Sequence, residues 1–248
     1  MTMIFLCAAG FLAAFVDSIA GGGGLISVPA YMLAGLPPSF VLGTNKFSST
    51  TASFTSSIKF ITSKKVNFKI LKYLIPFTLV GAFIGVNTVL SIDENILNIL
   101  VLVLILFIGI YSLFSKSLGF TNKFSGINKK NIILGIILAF SLGFYDGFFG
   151  PGTGSFLIFG FVKIFGYDFV NATGNSRILN FTSNIASLIL FAIHKKIYYA
   201  FAIPVAFFMI LGAHFGTKMA LNKGSKLIKP IFIIMSLAVA IKMLIKLI

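Results

Sequence analysis

The sequence predicts an all-α integral membrane protein made of two homologous halves, each with about five apolar segments. Of the 248 residues, 58% are hydrophobic and only 10% are charged, and the mean hydropathy is +1.04. Soluble domains carry about 25% charged residues, so lipid must solvate much of this surface. The apolar residues fall in runs of membrane length, and the second half repeats motifs of the first. These observations predict roughly eight to ten segments and no soluble domain.

The internal repeat rests on motifs that occur in the same order in both halves. Lys46 corresponds to Arg177 and Lys64 to Lys195, in each case 131 residues apart. The matched stretches are GFLAAFVDSIAG (10–21) with GFYDGFFG (143–150), GTNKFSSTTASFTSSIKFITSKKV (43–66) with TGNSRILNFTSNIASLILFAIHKKI (173–197), and GAFIG (81–85) with GAHFG (212–216). Duplication of this kind is typical of secondary transporters.

The repeat divides the chain into a first transmembrane repeat (1–115), a Lys-rich connecting loop (116–130) and a second transmembrane repeat (131–248). The predicted segments are 1–18, 22–36, 40–62, 70–91 and 95–114 in the first half, and 131–148, 152–166, 170–193, 197–220 and 227–247 in the second. The second segment of each half is shorter than the roughly 20 residues that a span needs. We therefore predict that both are short or re-entrant and buried in protein.

The distribution of charged residues bears on the partners of the chain and on the orientation of its two halves in the membrane. The net charge is +15, and most lysines fall in predicted loops such as 64–72, 116–130 and 218–229. Because such lysines face anionic lipid, we expect membrane lipids and not nucleic acid as partners. The positive-inside count is equal for parallel and inverted halves. Short segments at matching positions of the two halves favour an inverted repeat.

Two of the five acidic residues, Asp17 and Asp146, lie about fifteen residues into their apolar segments. An ionised carboxylate at that depth costs a few kcal/mol, so it should face the interior and have a partner or a function. One hypothesis is that these acids couple transport to protons. The other is that they are structural and accept hydrogen bonds from backbone N–H groups freed at the next glycine run. The sequence leaves both open.

A glycine run follows each acid and is a candidate anion cradle. Glycine lets helix N-termini approach each other, and their N–H groups and dipoles favour negative charge. The predicted cradles are Gly21, Gly22, Gly23 and Gly24 in the first half, and Gly150, Pro151, Gly152, Thr153 and Gly154 in the second.

The third segment of each half is polar and carries a cation at the same repeat position, Lys46 or Arg177. These cations could reach to the membrane surface, or line a polar path that binds an anion. They could also form ion pairs within each half, Asp17 with Lys46 and Asp146 with Arg177. If Arg177 binds substrate, Arg177→Ala should abolish transport and leave the protein folded.

The residue types argue against several other kinds of site. One cysteine, Cys7, and two separated histidines, His194 and His214, are too few for a transition-metal site. No nucleophile–base pair, cofactor motif or G-x-x-x-x-G-K-[ST] loop occurs, so we expect neither an enzyme nor a bound cofactor. A cation or metal transporter that uses Asp17 and Asp146 is the alternative function, and a membrane-embedded enzyme is the weakest one.

Several motifs resemble the TauE/SafE family of sulfite and organosulfur anion exporters, over nearly the whole chain. They are D-x-x-x-GGGG-L-I-x-x-P (17–29), G-T-N-K (43–46), D-G-x-x-G-P-G-T-G (146–154) and A-T-G-N-S (172–176). The resemblance implies a multi-pass transporter of the cell inner membrane. The functional positions it implies are Asp17, Gly21, Gly22, Gly23, Gly24, Pro29, Thr44, Asn45, Asp146, Gly150, Pro151, Gly152, Thr153, Gly154, Thr173 and Asn175. Roles for Lys46 and Arg177 rest on the residues alone.

We therefore expect a secondary transporter for a small anion, a sulfur oxyanion or organosulfonate. Its two halves would rock to alternate access to a site where the glycine runs meet. Coupling to protons through Asp17 or Asp146 is part of this hypothesis. The sequence does not determine the anion, the direction of transport, the coupling ion or the oligomeric state, a homodimer included.

Overall fold

The computed structural model describes residues 1–114, 121–124 and 126–223. Over these ranges the chain is helical and contains no strand. The helices are α1 (Thr2–Ala20), α2 (Gly24–Leu33), α3 (Pro38–Thr62), α4 (Phe68–Leu90), α5 (Glu94–Phe114), α6 (Lys129–Phe148), α7 (Thr153–Phe165), α8 (Phe169–Ile193) and α9 (Tyr199–Lys223). The predicted last segment, 227–247, and residues 116–120 and 125 of the connecting loop lie outside the described residues.

Five of these helices, α1, α4, α6, α8 and α9, are long and apolar enough to cross a membrane. Helix α3 is as long as α8, at 25 residues, but its many Ser and Thr side chains make it more polar. Large apolar side chains cover the outside of the bundle, among them Phe83 and Phe207. The prediction of an all-α integral membrane protein is therefore confirmed.

The second helix of each half is short, as the sequence predicts. Helix α2 has 10 residues and α7 has 13, so they rise about 15 and 20 Å, well under a bilayer core of about 30 Å. At the first break the chain turns back along α1, because Gly23 packs directly against Ala13 and Asp17. Gly21 has φ 70° and Gly22 φ 148°, which favour glycine, so the reversal needs these residues. The inverted orientation of the halves stays a prediction.

Packing mixes the two halves of the sequence. Helices α1 and α3 pack with α9 of the second half, and α2 packs on α1 and α3; we name these four helices bundle I. Helices α6 and α8 pack with α4 of the first half, and α7 packs on α6 and α8; we name these four helices bundle II. One hydrophobic core lies mostly in bundle I and the other mostly in bundle II, and each also takes a few residues from helices of the opposite bundle. The two bundles meet chiefly where α3 packs on α8.

Glycines allow the two exchanged helices to approach their partners closely. The GAFIG motif (81–85) of α4 lies against the backbone of α6, and the GAHFG motif (212–216) of α9 lies against the backbone of α1. Small residues permit such contact between membrane helices, where van der Waals packing replaces the hydrophobic effect as the main attraction. The repeated motifs therefore hold α4 and α9 in bundles formed mostly by the other half.

Replacing Gly85 by alanine is expected to destabilise the protein by about 1–3 kcal/mol, because the new Cβ would collide with backbone atoms of Phe144 and Phe148. Thermal unfolding in detergent measures the effect. Gly160→Ala is the matched control, because its Cβ would meet only the end of the Leu138 side chain, which can rotate. Equal melting temperatures for the two variants would contradict the close contact of α4 and α6.

Candidate functional site

The two glycine breaks meet inside the protein. Gly21 packs against the backbone of Gly154, and Gly24 packs against Pro151. The hydroxyl of Ser155 donates to the carbonyl oxygens of Ala20, at 3.0 Å, and Gly21. The N-terminal ends of α2 and α7, one from each half, therefore lie side by side.

A small cavity opens beside this meeting point. Its volume is about 30 Å³, room for about two water molecules. Its polar lining comes from four long helices and the start of α2: Asp17, Ser27, Asn45, Lys46, Ser49, Asp146, Asn180 and Asn184. Gly23, Gly24, Gly150, Gly152 and Gly154 complete one wall. Both halves and both bundles thus contribute to one polar cavity.

One acid, Asp17 of α1, is bound on two sides. Its Oδ1 accepts hydrogen bonds from the backbone N–H groups of Gly22 (2.9 Å) and Gly23 (3.1 Å). Its Oδ2 accepts from Nη1 of Arg177, and its own carbonyl accepts from Nη2 of Arg177 at 2.5 Å. Arg177 is fully buried, whereas the Asp17 side chain is 23% exposed. The guanidinium thus fixes the C-terminal end of α1 to α8.

The other acid, Asp146 of α6, pairs with Lys46 of α3. The Lys46 Nζ lies 2.8 Å from Asp146 Oδ2 and donates to Asn184 Oδ1 at 2.9 Å. Lys46 and Asp146 are each only 2% exposed. Neither Lys46 nor Arg177 reaches to the membrane surface, so that interpretation is wrong.

The ion pairs within each half that the sequence allowed are also wrong. Asp17 pairs with Arg177 instead of Lys46, and Asp146 pairs with Lys46 instead of Arg177. The reason is that α3 and α8 cross at the boundary between the bundles. Each cation therefore faces the first helix of the other half.

Three of the residues that the family motifs imply lie outside the cavity, and two of them, Thr44 and Asn175, hold loops. The hydroxyl of Thr44 accepts from the backbone N–H of Tyr198 at 3.0 Å, just before α9. At the equivalent place, Asn175 Oδ1 accepts from the backbone N–H of Asn67 at 2.9 Å, just before α4. Thr173 donates to a carbonyl of its own helix. These contacts fix the connections through which α4 and α9 enter the opposite bundle.

The remaining predicted residues shape the breaks. The hydroxyl of Thr153 donates to the carbonyl of Gly150 at 2.7 Å, and the carbonyl of Pro151 accepts from the Tyr145 hydroxyl at 2.6 Å. Pro29 lies inside α2. Arg177, Gly21 and Gly22 are also next to the cavity without lining it. The members of the predicted anion cradle that line the cavity are the glycines at positions 23, 24, 150, 152 and 154.

Sequence reasoning missed four polar residues that line the cavity: Ser27, Ser49, Asn180 and Asn184. A signal for the asparagines was available. They follow Arg177 by three and seven residues, which places all three on one face of a helix. Ser49 and Asn180 are also separated by the repeat interval of 131 residues.

Replacing Asn175 by alanine tests whether this residue is structural. The substitution leaves the partly buried N–H of Asn67 without its acceptor, so stability should fall by about 1 kcal/mol. The apparent Michaelis constant for a transported anion should stay within about twofold of the wild type. Asn184→Ala, which removes a cavity amide, should instead raise that constant. A raised Michaelis constant in Asn175→Ala together with an unchanged one in Asn184→Ala would indicate that Asn175 belongs to the binding site.

Comparison with known proteins identifies the family to which this chain belongs. The sequence model of the family described as "Sulfite exporter TauE/SafE" matches residues 6–243. The chain belongs to the TauE/SafE family. A "Probable membrane transporter protein" of Haemophilus influenzae is 37% identical over 97% of this chain and 94% of its own length. The "Probable membrane transporter protein YfcA" of Escherichia coli K12 is 37% identical over 94% of this chain and 86% of its own length.

A more distant relative is the "Probable membrane transporter protein YunE" of Bacillus subtilis, 25% identical over 90% of this chain and 89% of its own length. No solved structure matches the chain. The family match, the relatives and the five apolar helices together make the chain a multi-pass membrane transporter.

Proposed function

We propose that this TauE/SafE protein is a secondary transporter that moves a small sulfur oxyanion or organosulfonate across the cell inner membrane by alternating access. The observation that carries the proposal is the cavity in which Lys46 faces the adjoining N-terminal ends of α2 and α7. The N–H groups of Leu25, Ile26 and Thr153 at these ends already donate to nearby backbone carbonyls, so the positive charge there comes from the two helix dipoles. Two such ends and an ammonium group favour a small anion.

The other cavity residues suit an oxyanion as well. Side-chain amides of Asn45, Asn180 and Asn184 and hydroxyls of Ser27 and Ser49 line the cavity. Each can donate a hydrogen bond, and a sulfite or sulfonate group presents three acceptor oxygens. Both acids already have a cationic partner, so the charged side chains nearly cancel. The helix ends then decide the sign of charge that the cavity favours.

The alternative functions have less support. Asp17 and Asp146 are both engaged by cations, so neither offers a free carboxylate to a metal ion. In the part of the chain that the structure describes, no three His, Cys, Asp or Glu side chains come together. An enzymatic function has less support, because the relatives are named as membrane transporters. Membrane lipids would cover the apolar outer surface.

We also propose that the bodies that move during transport are bundles I and II, and not the two sequence repeats. Glycine contacts tie α4 to α6 and α9 to α1, so neither repeat can move as one unit. The cavity lies between the bundles, with Lys46 on bundle I and Asn184 on bundle II. Motion of one bundle against the other would therefore open the cavity to either side.

Thermal stability of the detergent-purified protein tests anion binding. The panel contains sulfite, thiosulfate and methanesulfonate, with acetate and divalent metal ions as controls. A ligand at a hundredfold excess over its dissociation constant should stabilise the fold by about 2.7 kcal/mol. We expect this shift with the sulfur oxyanions and a smaller one in Lys46→Gln. A shift with metal ions alone would overturn the proposal and favour the cation transporter.

A further inference from the structure

The two acids occupy equivalent positions of the repeat, but their surroundings differ. Asp17 accepts from two backbone N–H groups of its glycine break and from a guanidinium. At the second break the backbone N–H of Gly150 bonds the carbonyl of Tyr145, at 3.2 Å, and not Asp146. Asp146 has the ammonium of Lys46 as its charged partner. Among the described residues, one carboxylate is thus fixed by rigid donors and the other by a single flexible side chain.

This difference has consequences for charge. A guanidinium stays protonated at every physiological pH, and the backbone donors to Asp17 belong to the turn that begins α2. Neutralising Asp17 would therefore leave Arg177 buried without a counter-ion. Asp146 can be neutralised at lower cost, because Lys46 also bonds Asn184 and its ammonium carries three donors. Lys46 then needs a new anionic partner, and the cavity lies beside it.

We propose that Asp146 alone carries the coupling proton and that Lys46 exchanges its counter-ion between Asp146 and the transported anion. This inference rests on the proposed function. A proton from the aqueous side binds the Asp146 carboxylate, Lys46 remains an ammonium, and the substrate anion replaces the carboxylate as its partner. When the anion leaves, Asp146 releases the proton and pairs with Lys46 again. Asp17 keeps its charge throughout and holds the first glycine break together with Arg177.

The other titratable groups around Asp146 do not substitute for it. Arg177 of α8 is committed to Asp17, and the hydroxyl of Tyr145, the residue before Asp146, donates to a backbone carbonyl. On the two other helices that pack against α6, the titratable groups form no hydrogen bond or ion pair with Asp146 within the described residues. These groups are Lys69, Lys72 and Tyr73 of α4 and Lys163 of α7. A pH effect on binding is therefore expected to arise within the Asp146–Lys46 pair, and Asp146→Asn, which leaves only Lys46 to titrate, shows which member carries it.

The test is the pH dependence of anion affinity, measured by titration calorimetry with methanesulfonate or thiosulfate, both fully ionised from about pH 6 to 9. Binding that requires a protonated Asp146 should weaken by up to about tenfold for each unit that the pH rises. Calorimetry of the unaltered protein in two buffers of different ionisation enthalpy should show about one proton taken up for each anion bound. Asp146→Asn should bind the probe with no pH dependence.

Asp17→Asn is the matched variant. It should keep the pH dependence and lower the melting temperature, because it removes the counter-ion of Arg177. Proton uptake near zero in the unaltered protein would overturn the inference and leave the proposed function standing. A pH slope that disappears in Asp17→Asn instead would also overturn it. If neither probe nor sulfite binds at any pH, both the inference and the proposed function fail.

Discussion

Arg177→Ala is expected to leave the protein unable to fold stably, which differs from the folded and inactive variant that the sequence suggests. The guanidinium is fully buried and bonds both the carboxylate and the carbonyl of Asp17. Removing one partner of a buried ion pair typically costs about 3–5 kcal/mol, because the other charge is left uncompensated. That is a large part of the usual total stability of about 5–15 kcal/mol.

Detergent-solubilised yield, size-exclusion profile and melting temperature measure this effect. The double variant Asp17→Ala with Arg177→Ala is the control. It removes both charges, so its melting temperature should lie above that of Arg177→Ala alone. A monodisperse Arg177→Ala protein with the wild-type melting temperature and no transport would contradict a structural role for the pair. It would support the direct binding role that the sequence suggested.

Linking bundle I to bundle II should stop transport almost completely. The rings of Phe54 in α3 and Phe181 in α8 lie 5.4 Å apart between centroids, across the boundary of the bundles. A disulfide or short bis-thiol linker between Phe54→Cys and Phe181→Cys would prevent their relative motion. The native Cys7 is first replaced by serine, so that only the introduced thiols react. Reduction of a disulfide should restore the flux.

The control for this experiment is a link within bundle I. The rings of Phe47 in α3 and Tyr199 in α9 lie 5.8 Å apart, a comparable distance. These residues come from different sequence halves, so Phe47→Cys with Tyr199→Cys distinguishes the two mechanisms. Moving bundles predict that this link leaves the flux unchanged, whereas rocking halves predict that it stops the flux. Loss of flux in the control pair would contradict the moving bundles.

The sequence predicts most of the architecture because the signals involved are local. Hydrophobic run length gives the helices, and glycine and proline mark the breaks before α2 and α7. The sequence also allowed a structural role in which a buried acid accepts hydrogen bonds from the next glycine run. Asp17 makes such contacts with the N–H groups of Gly22 and Gly23. These features depend on residues within about six positions of each other, a range over which sequence pattern constrains conformation.

The sequence could not predict which half supplies the partner of each acid. Spacing along the chain permits Lys46 to contact either acid. The packing of α3 against α8 determines that its partner is Asp146. The same limitation applies to Thr44 and Asn175, which contact loops more than 100 residues away in sequence. Long-range contacts of this kind follow from the exchange of α4 and α9 between the bundles. No local pattern encodes that exchange.

The most direct test of the central claim is flux of radiolabelled sulfite from proteoliposomes that contain the purified protein. We expect flux that external methanesulfonate or thiosulfate inhibits, that acetate does not inhibit, and that Lys46→Gln reduces by at least about tenfold through loss of a charge-assisted contact. Lys64→Gln, which removes a lysine from a loop, should transport like the wild type. Equal flux through the wild type, Lys46→Gln and protein-free liposomes would contradict the account.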